Sequence, residues 1–125
     1  MPVLLYDDLQ LCRQMIRPYV ALYIGGMGSR ERNFYNQLAQ RYGYVEEAKL
    51  IQDLYLSGDK AGAAAAVPDA LVDATSALGN AEQIQASLKR FADAGVTMPV
   101  LGIGALDQES RLKTLEALAP IAAAA

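Results

Sequence analysis

The sequence predicts an α/β fold that is mostly helical, with two or three short parallel strands, and three observations carry that prediction. From Leu9 to Ala74 apolar residues recur at helical spacing, punctuated by glycine and proline. Beyond Thr75 the pattern changes to strand, loop, helix, strand, helix, the order of a βαβ unit. Val3, Leu4 and Leu5 form an apolar run stopped by Asp7-Asp8, which fits the end of a buried parallel strand. Such a strand needs neighbours on both sides, so the start of the chain looks like a cut through a larger fold. The expected organisation is a single partial domain over residues 1–125: a strand end at 1–6, a helical insertion at 7–74 and a closing βαβα unit at 75–125.

Asp7 or Asp8 can cap the first helix, which carries Leu9, Cys12, Met15, Ile16, Tyr19, Val20 and Tyr23 at helical spacing. Pro18 removes a backbone donor inside it and is expected to kink the helix or divide it around Arg17. Arg13 and Arg17 read as a solvated face. The stretch from Tyr23 to Tyr44, Y-I-G-G-M-G-S-R-E-R-N-F-Y-N-Q-L-A-Q-R-Y-G-Y, is the least generic part of the chain. Gly25, Gly26 and Gly28 can take positive φ, and Ser29 can cap a helix over 30–42, so a glycine hinge between two helices is expected. On that second helix Phe34, Leu38, Arg41 and Tyr42 share one side, whereas Tyr35 projects elsewhere with Asn33 and Asn36 beside it.

A third helix is expected from Val45 to about Leu56, with Val45, Ala48, Ile51, Leu54 and Tyr55 inward and Gly58 as its stop. Asp59 caps a short alanine-rich helix ended by Pro68, and Asp69 to Ala74 makes one more turn. Thr75 to Leu78 can pass as a strand. Asn80 and Gln83 then form a capping box for a helix that uses Ile84, Leu88, Phe91 and Ala92 as its inner face and stops at Gly95. Val96 to Gly104 reads as a fully buried strand, and Asp107 caps a last helix carrying Leu112, Leu115, Leu118 and Ile121. The loops after Leu78 and Ile103 would open on one face, which in an α/β barrel is the face that holds sites.

Composition narrows the function. Of the 125 residues 53% are hydrophobic, but many of these are alanine, so the core is modest. Net charge is −3 and the basic residues are scattered, which sets nucleic-acid binding aside. One cysteine, Cys12, without a pairing partner fits a reducing compartment, with the cytoplasm as the default. No window approaches the roughly 18 consecutive apolar residues of a membrane span, and the N-terminus lacks the features of a signal peptide. With no histidine, the chain offers no histidine base, serine–histidine triad or histidine metal ligand, and one cysteine cannot build a structural zinc site. The acid pairs Asp7-Asp8 and Glu46-Glu47 sit at helix starts, where carboxylates favour the dipole. G-G-M-G is only loosely like a phosphate loop, since it follows a helix and lacks the lysine of a nucleotide loop. Gly102 and Gly104 either let backbone approach a ligand or let the following helix pack closely.

The succession D-D-L-Q-L-C-R-Q-M-I-R-P-Y-V-A-L-Y-I-G-G-M-G-S-R-E-R-N-F-Y-N, then I-Q-D-L-Y-L-S-G, A-A-A-V-P-D-A-L-V-D, L-G-N-A-E-Q-I and A-D-A-G-V, resembles the C-terminal part of the luciferase-like monooxygenase superfamily. Within it the chain looks most like the oxidoreductases that use the deazaflavin coenzyme F-420. The resemblance implies the C-terminal portion of a (β/α)8 TIM barrel, a fold of about 250 residues or more. This chain would supply roughly the last two strands, the helical insertion and the closing helix. It implies hydride transfer between reduced F-420 and a small organic substrate or, for relatives that use flavin mononucleotide (FMN), oxygenation of an aldehyde or alkane. No catalytic residue and no metal ligand carries over to this chain. Tyr23, Gly25, Gly26, Asn33, Tyr35 and Ser76 are the candidate contributors to a substrate or cofactor wall, against the plainer reading of a helix hinge with aromatic packing. The expectation is a fragment inactive alone; its alternative is a helical interaction module that self-associates or completes a companion half-barrel.

Overall fold

The computed structural model describes residues 1–124, with side chains as far as Pro120. The chain divides into two compact units, residues 14–72 and residues 1–13 with 73–125.

The second of these units holds a three-stranded parallel sheet of β1 (Pro2–Leu5), β2 (Ala77–Gly79) and β3 (Gly102–Ile103), in the order β2-β1-β3. Val3 pairs with Ala77 on one side and Ile103 on the other, so β1 is the central strand. The expected βαβ unit is therefore parallel, but its two strands are not neighbours. Two expected strand bounds also change. Thr75 stays in the last turn of a helix, and the strand runs on to Gly79, whose φ of 107° ends it. Val96 to Gly104 is not a fully buried strand: Met98 and Val100 are 83% and 80% exposed. Pro99 has no N–H for a ladder, and Gly102 and Gly104 donate to the carbonyls of Met1 and Val3 at 2.8 and 2.9 Å.

One face of the sheet packs Val3 and Ala77 against Ile84 and Leu88 of α6 (Ala81–Asp93) and Leu118 of α7 (Gln108–Ala124). The capping box on α6 is present: the Gln83 N–H donates to Asn80 Oδ1 at 3.0 Å, and the Asn80 N–H to Gln83 Oε1 at 2.9 Å. Gly95, at φ 94°, ends that helix as expected. Asp107 caps α7 through the Ser110 N–H at 2.7 Å. The inner face of α7 is Thr114 and Leu118, whereas Leu112 and Leu115 are exposed; the Ile121 side chain lies outside the described residues. Gly104 is explained by β1, not by the helix after it, because a Cβ there would lie 2.5 Å from Leu4 Cδ2.

α1 (Leu9–Ala21) starts where Asp8 Oδ1 accepts from the Gln10 and Leu11 N–H groups at 2.9 and 3.1 Å. It runs through Pro18 as one element, so the expected division around Arg17 is absent. Arg13 and Arg17 do not form a solvated face. Arg13 makes a two-point pair with Asp73 at 2.9 and 2.5 Å, and Arg17 pairs with Asp69 at 2.6 Å.

The regular elements of residues 14–72 are all helices: the rest of α1, a π-helical turn over Leu22–Gly26, α2 (Phe34–Arg41), α3 (Val45–Leu56), α4 (Lys60–Ala65) and most of α5 (Asp69–Thr75). The bounds of α3 match the expectation, but Val45 is 49% exposed and Gln52 takes an inner place beside Ala48 and Ile51. Asp59 caps α4 through the Gly62 N–H at 2.8 Å.

Candidate functional site

The glycine-rich stretch is built differently from a hinge. Gly25 and Gly26 lie within the π turn and have no positive φ; of the three glycines only Gly28 does, at 141°. Close approach is what requires them. A Cβ on Gly25 would sit 2.5 Å from Tyr55 Cβ, and one on Gly26 would strike the Tyr55 ring. Ser29 does not cap a helix; its carbonyl accepts from the Arg32 N–H in a turn, and α2 begins only at Phe34. The cap is Asn33, extended at φ −109°, whose Oδ1 accepts from the Asn36 N–H at 3.0 Å.

The buried side of α2 and its cap is partly polar: Asn33 and Asn36 are 1% and 4% exposed beside the buried Ala39, whereas Phe34 and Tyr42 are 63% and 64% exposed. The end of the preceding π turn explains these buried amides, because a helix C-terminus leaves carbonyls without partners. Asn33 Nδ2 donates to the carbonyls of Tyr23 and Ile24 at 3.1 and 2.9 Å. Asn36 Nδ2 donates to Ile24 O and Ala48 O at 3.1 and 2.8 Å, and its Oδ1 accepts from Gln40 Nε2 at 2.7 Å. The amide of Asn33 is thus engaged inside the unit.

Above these asparagines the rings meet. Tyr23 lies between Tyr19 and Tyr35, at centroid distances of 4.7 Å to each, and Phe34 stands edge-on to Tyr35 at 5.4 Å. Tyr19 and Tyr35 are 47% and 39% exposed, so the cluster presents an aromatic surface. A side-chain hydrogen bond with Tyr23, aided by burial, holds the Tyr19 phenol above its ordinary value. It is neutral at physiological pH and is not a base. The structure therefore gathers Tyr23, Gly25, Gly26, Asn33 and Tyr35 in one unit and leaves Ser76 in the other. Sequence reading passed over Tyr19, Asn36 and Tyr55 as site residues. The i, i+4 spacing of Tyr19 and Tyr23 and the i, i+3 spacing of the asparagines were the signals for the first two; nothing local marks Tyr55.

In the sheet-bearing unit a cleft of about 530 Å³ opens at the carboxyl ends of β1 and β2, lined by Leu5, Tyr6, Asp7, Asn80, Ala81, Ser110 and Lys113. It is the place where α/β folds bind ligands. The Tyr6 hydroxyl accepts from the Leu106 N–H at 2.9 Å and fixes the loop before α7. Lys113 pairs with Glu109 at 2.7 Å. Ser76, just before β2, is 1% exposed, and its hydroxyl has no hydrogen-bond partner among the described residues.

The luciferase-like monooxygenase family model matches residues 2–98, and the chain belongs to that family. Among individual proteins it is similar to one of Mycobacterium tuberculosis named "Putative coenzyme F420-dependent oxidoreductase Rv3520c", with 35% identity over 113 residues. That match covers 90% of this chain but 33% of the relative's length. No solved structure matches the chain. Among the described residues no helix is long and apolar enough to cross a membrane.

Proposed function

We propose that this chain is the C-terminal portion of a (β/α)8-barrel oxidoreductase that transfers hydride between coenzyme F-420 and a small organic substrate, and that it acts in the cytoplasm. The observation that carries this reading is the family match over residues 2–98, joined to a relative whose printed name is F420-dependent. The parallel sheet, with a cleft at its carboxyl ends, supports it.

This chain's own residues do not by themselves fit the coenzyme. At the strand-end cleft the Asn80 and Ser110 N–H groups are taken by Gln83 and Asp107, and Lys113 is paired with Glu109. The aromatic cluster lies in the other unit. What the chain contributes is shape: a tyrosine surface held by the two buried asparagines, and one end of a parallel sheet.

Titration of the purified chain with F-420 and with FMN, followed by fluorescence with the size measured in the same buffer, tests the reading. The expected result is no saturable binding by the chain alone, and binding of F-420 once the remaining two thirds of the relative's barrel is co-expressed with it. Saturable binding by a folded monomer or dimer of the chain alone overturns the fragment reading, and a preference for FMN moves the assignment to the flavin-using branch.

A second reading has its own support. Met98, Val100 and Leu106 are 83%, 80% and 70% exposed, and exposed apolar side chains that gather in one patch mark an interface. This reading makes the chain an interaction module that self-associates or completes a companion half-barrel, and a defined dimer in the sizing experiment favours it.

A further inference from the structure

A second cleft of the sheet-bearing unit, about 280 Å³, runs beside β2 and is lined by Asp73, Ser76, Leu78, Ser87 and Arg90 with Leu9, Gln83 and Ala86. Gln83, Ala86, Ser87 and Arg90 recur at i, i+3, i+4 and i+7, so one stripe of α6 forms its wall. We propose that this cleft binds a small oxyanion, the phosphate or carboxylate group of a ligand, through the Arg90 guanidinium and the hydroxyls of Ser87 and Ser76.

Charge and hydrogen bonding both point there. Arg90 makes no ion pair among the described residues, and its Nη2 donates only to a neutral acceptor, the Asp73 carbonyl, at 3.1 Å. A guanidinium carries five N–H donors in a planar fork that matches an oxyanion. The carboxylate on the wall, Asp73, is already neutralised by the two-point pair with Arg13, so it does not cancel the Arg90 charge. The Ser76 hydroxyl is buried without a partner among the described residues, a costly state that a bound acceptor relieves. Gln83 turns its Oε1 to the Asn80 N–H, which leaves the amide NH2 as a further donor. The cleft gathers these donors, with its one carboxylate, Asp73, held by Arg13. It is independent of the deazaflavin reading, and failure of F-420 to bind leaves it untouched.

The test is NMR titration of the ¹⁵N-labelled full chain with sodium phosphate and, separately, sodium acetate, at an ionic strength held constant with sodium chloride. Saturable shifts are expected at the amides of residues 73–78 and 83–90. Arg90→Gln is expected to weaken binding about tenfold or more, since it removes the charged fork. Ser76→Ala is expected to weaken binding about threefold, while its melting temperature stays at or above that of the parent chain because an unpaired buried hydroxyl is gone. A purely structural hydroxyl would not split affinity from stability in that way. Should Arg90→Gln fail to fold, Arg90→Lys keeps the charge and loses the fork, and an intermediate loss is expected. Phosphate binding more tightly than acetate assigns a phosphate ligand, and the reverse assigns a carboxylate. No saturable shift with either anion, equal affinity in the parent chain and both variants, or the same shifts with chloride alone overturns the proposal.

Discussion

Gly26 shows how a residue can be needed for a reason its neighbours do not reveal. In sequence Gly25-Gly26 reads as a hinge, yet in the fold the pair continues a helix as a π turn and lies against the Tyr55 ring. Gly26→Ala is expected to destabilise residues 14–72 by about 1–3 kcal/mol, the usual range for overpacking a filled site. In a Tyr55→Ala background the same change should be close to neutral, and a urea-unfolding double-mutant cycle measures the difference. A Gly26→Ala loss that persists without the Tyr55 ring would return the glycine to a backbone role. Asn33 and Asn36 make a related point, since their amides meet carbonyls left at the end of the π turn.

At the scale of elements, caps are the features that local sequence specifies best, because donor and acceptor lie within three residues. The Asn80–Gln83 box sits where the sequence puts it, as do the Asp59 and Asp107 caps. Asn80→Ala is expected to lower the stability of the sheet-bearing unit by about 1 kcal/mol in thermal or denaturant unfolding. Ser29→Ala should change it by no more than a few tenths, since Ser29 contributes only its carbonyl to the turn before α2. A Ser29→Ala loss as large as that of Asn80→Ala would reinstate Ser29 as the cap. The expected strand over 96–104 shrank to Gly102–Ile103 for the opposite reason. Its apolar run predicts burial, but burial depends on a partner far away in the chain, and Pro99 removes a donor that a ladder would need.

At the scale of the whole chain, two exposed carboxylates contribute to acid stability. A hydrogen bond from Arg30, aided by the charges of Arg30 and Lys49, holds Asp53 below the ordinary carboxylate range. The Ser110 backbone N–H does the same for Asp107. A pKa lowered by folding contributes stability that is present above the unfolded value and is lost as pH falls through the folded one. Melting temperature is therefore expected to be level from neutrality to about pH 5 and to fall below about pH 4, where aspartate protonates. Asp53→Asn should flatten part of that acid limb, and added salt should do the same, since the pair is exposed. An acid limb identical in Asp53→Asn and the parent chain would remove Asp53 from the account.

The helices were legible in the sequence because their evidence is local. Periodicity located α3 and α6, Gly58 and Gly95 located their ends, and Asn80 located the cap of α6. The family resemblance was legible too, through blocks such as G-G-M-G…N-F-Y and V-P-D-x-L-V-D, and the match over residues 2–98 agrees with it. The candidate site was legible only as a list of residues. That Tyr23 meets Tyr35 edge-on, that Tyr55 demands glycines, and that β1 lies between β2 and β3 were decided by tertiary structure. These are pairings between segments distant in the chain. Spacing along one segment carries no information about which other segment will fill the space above it.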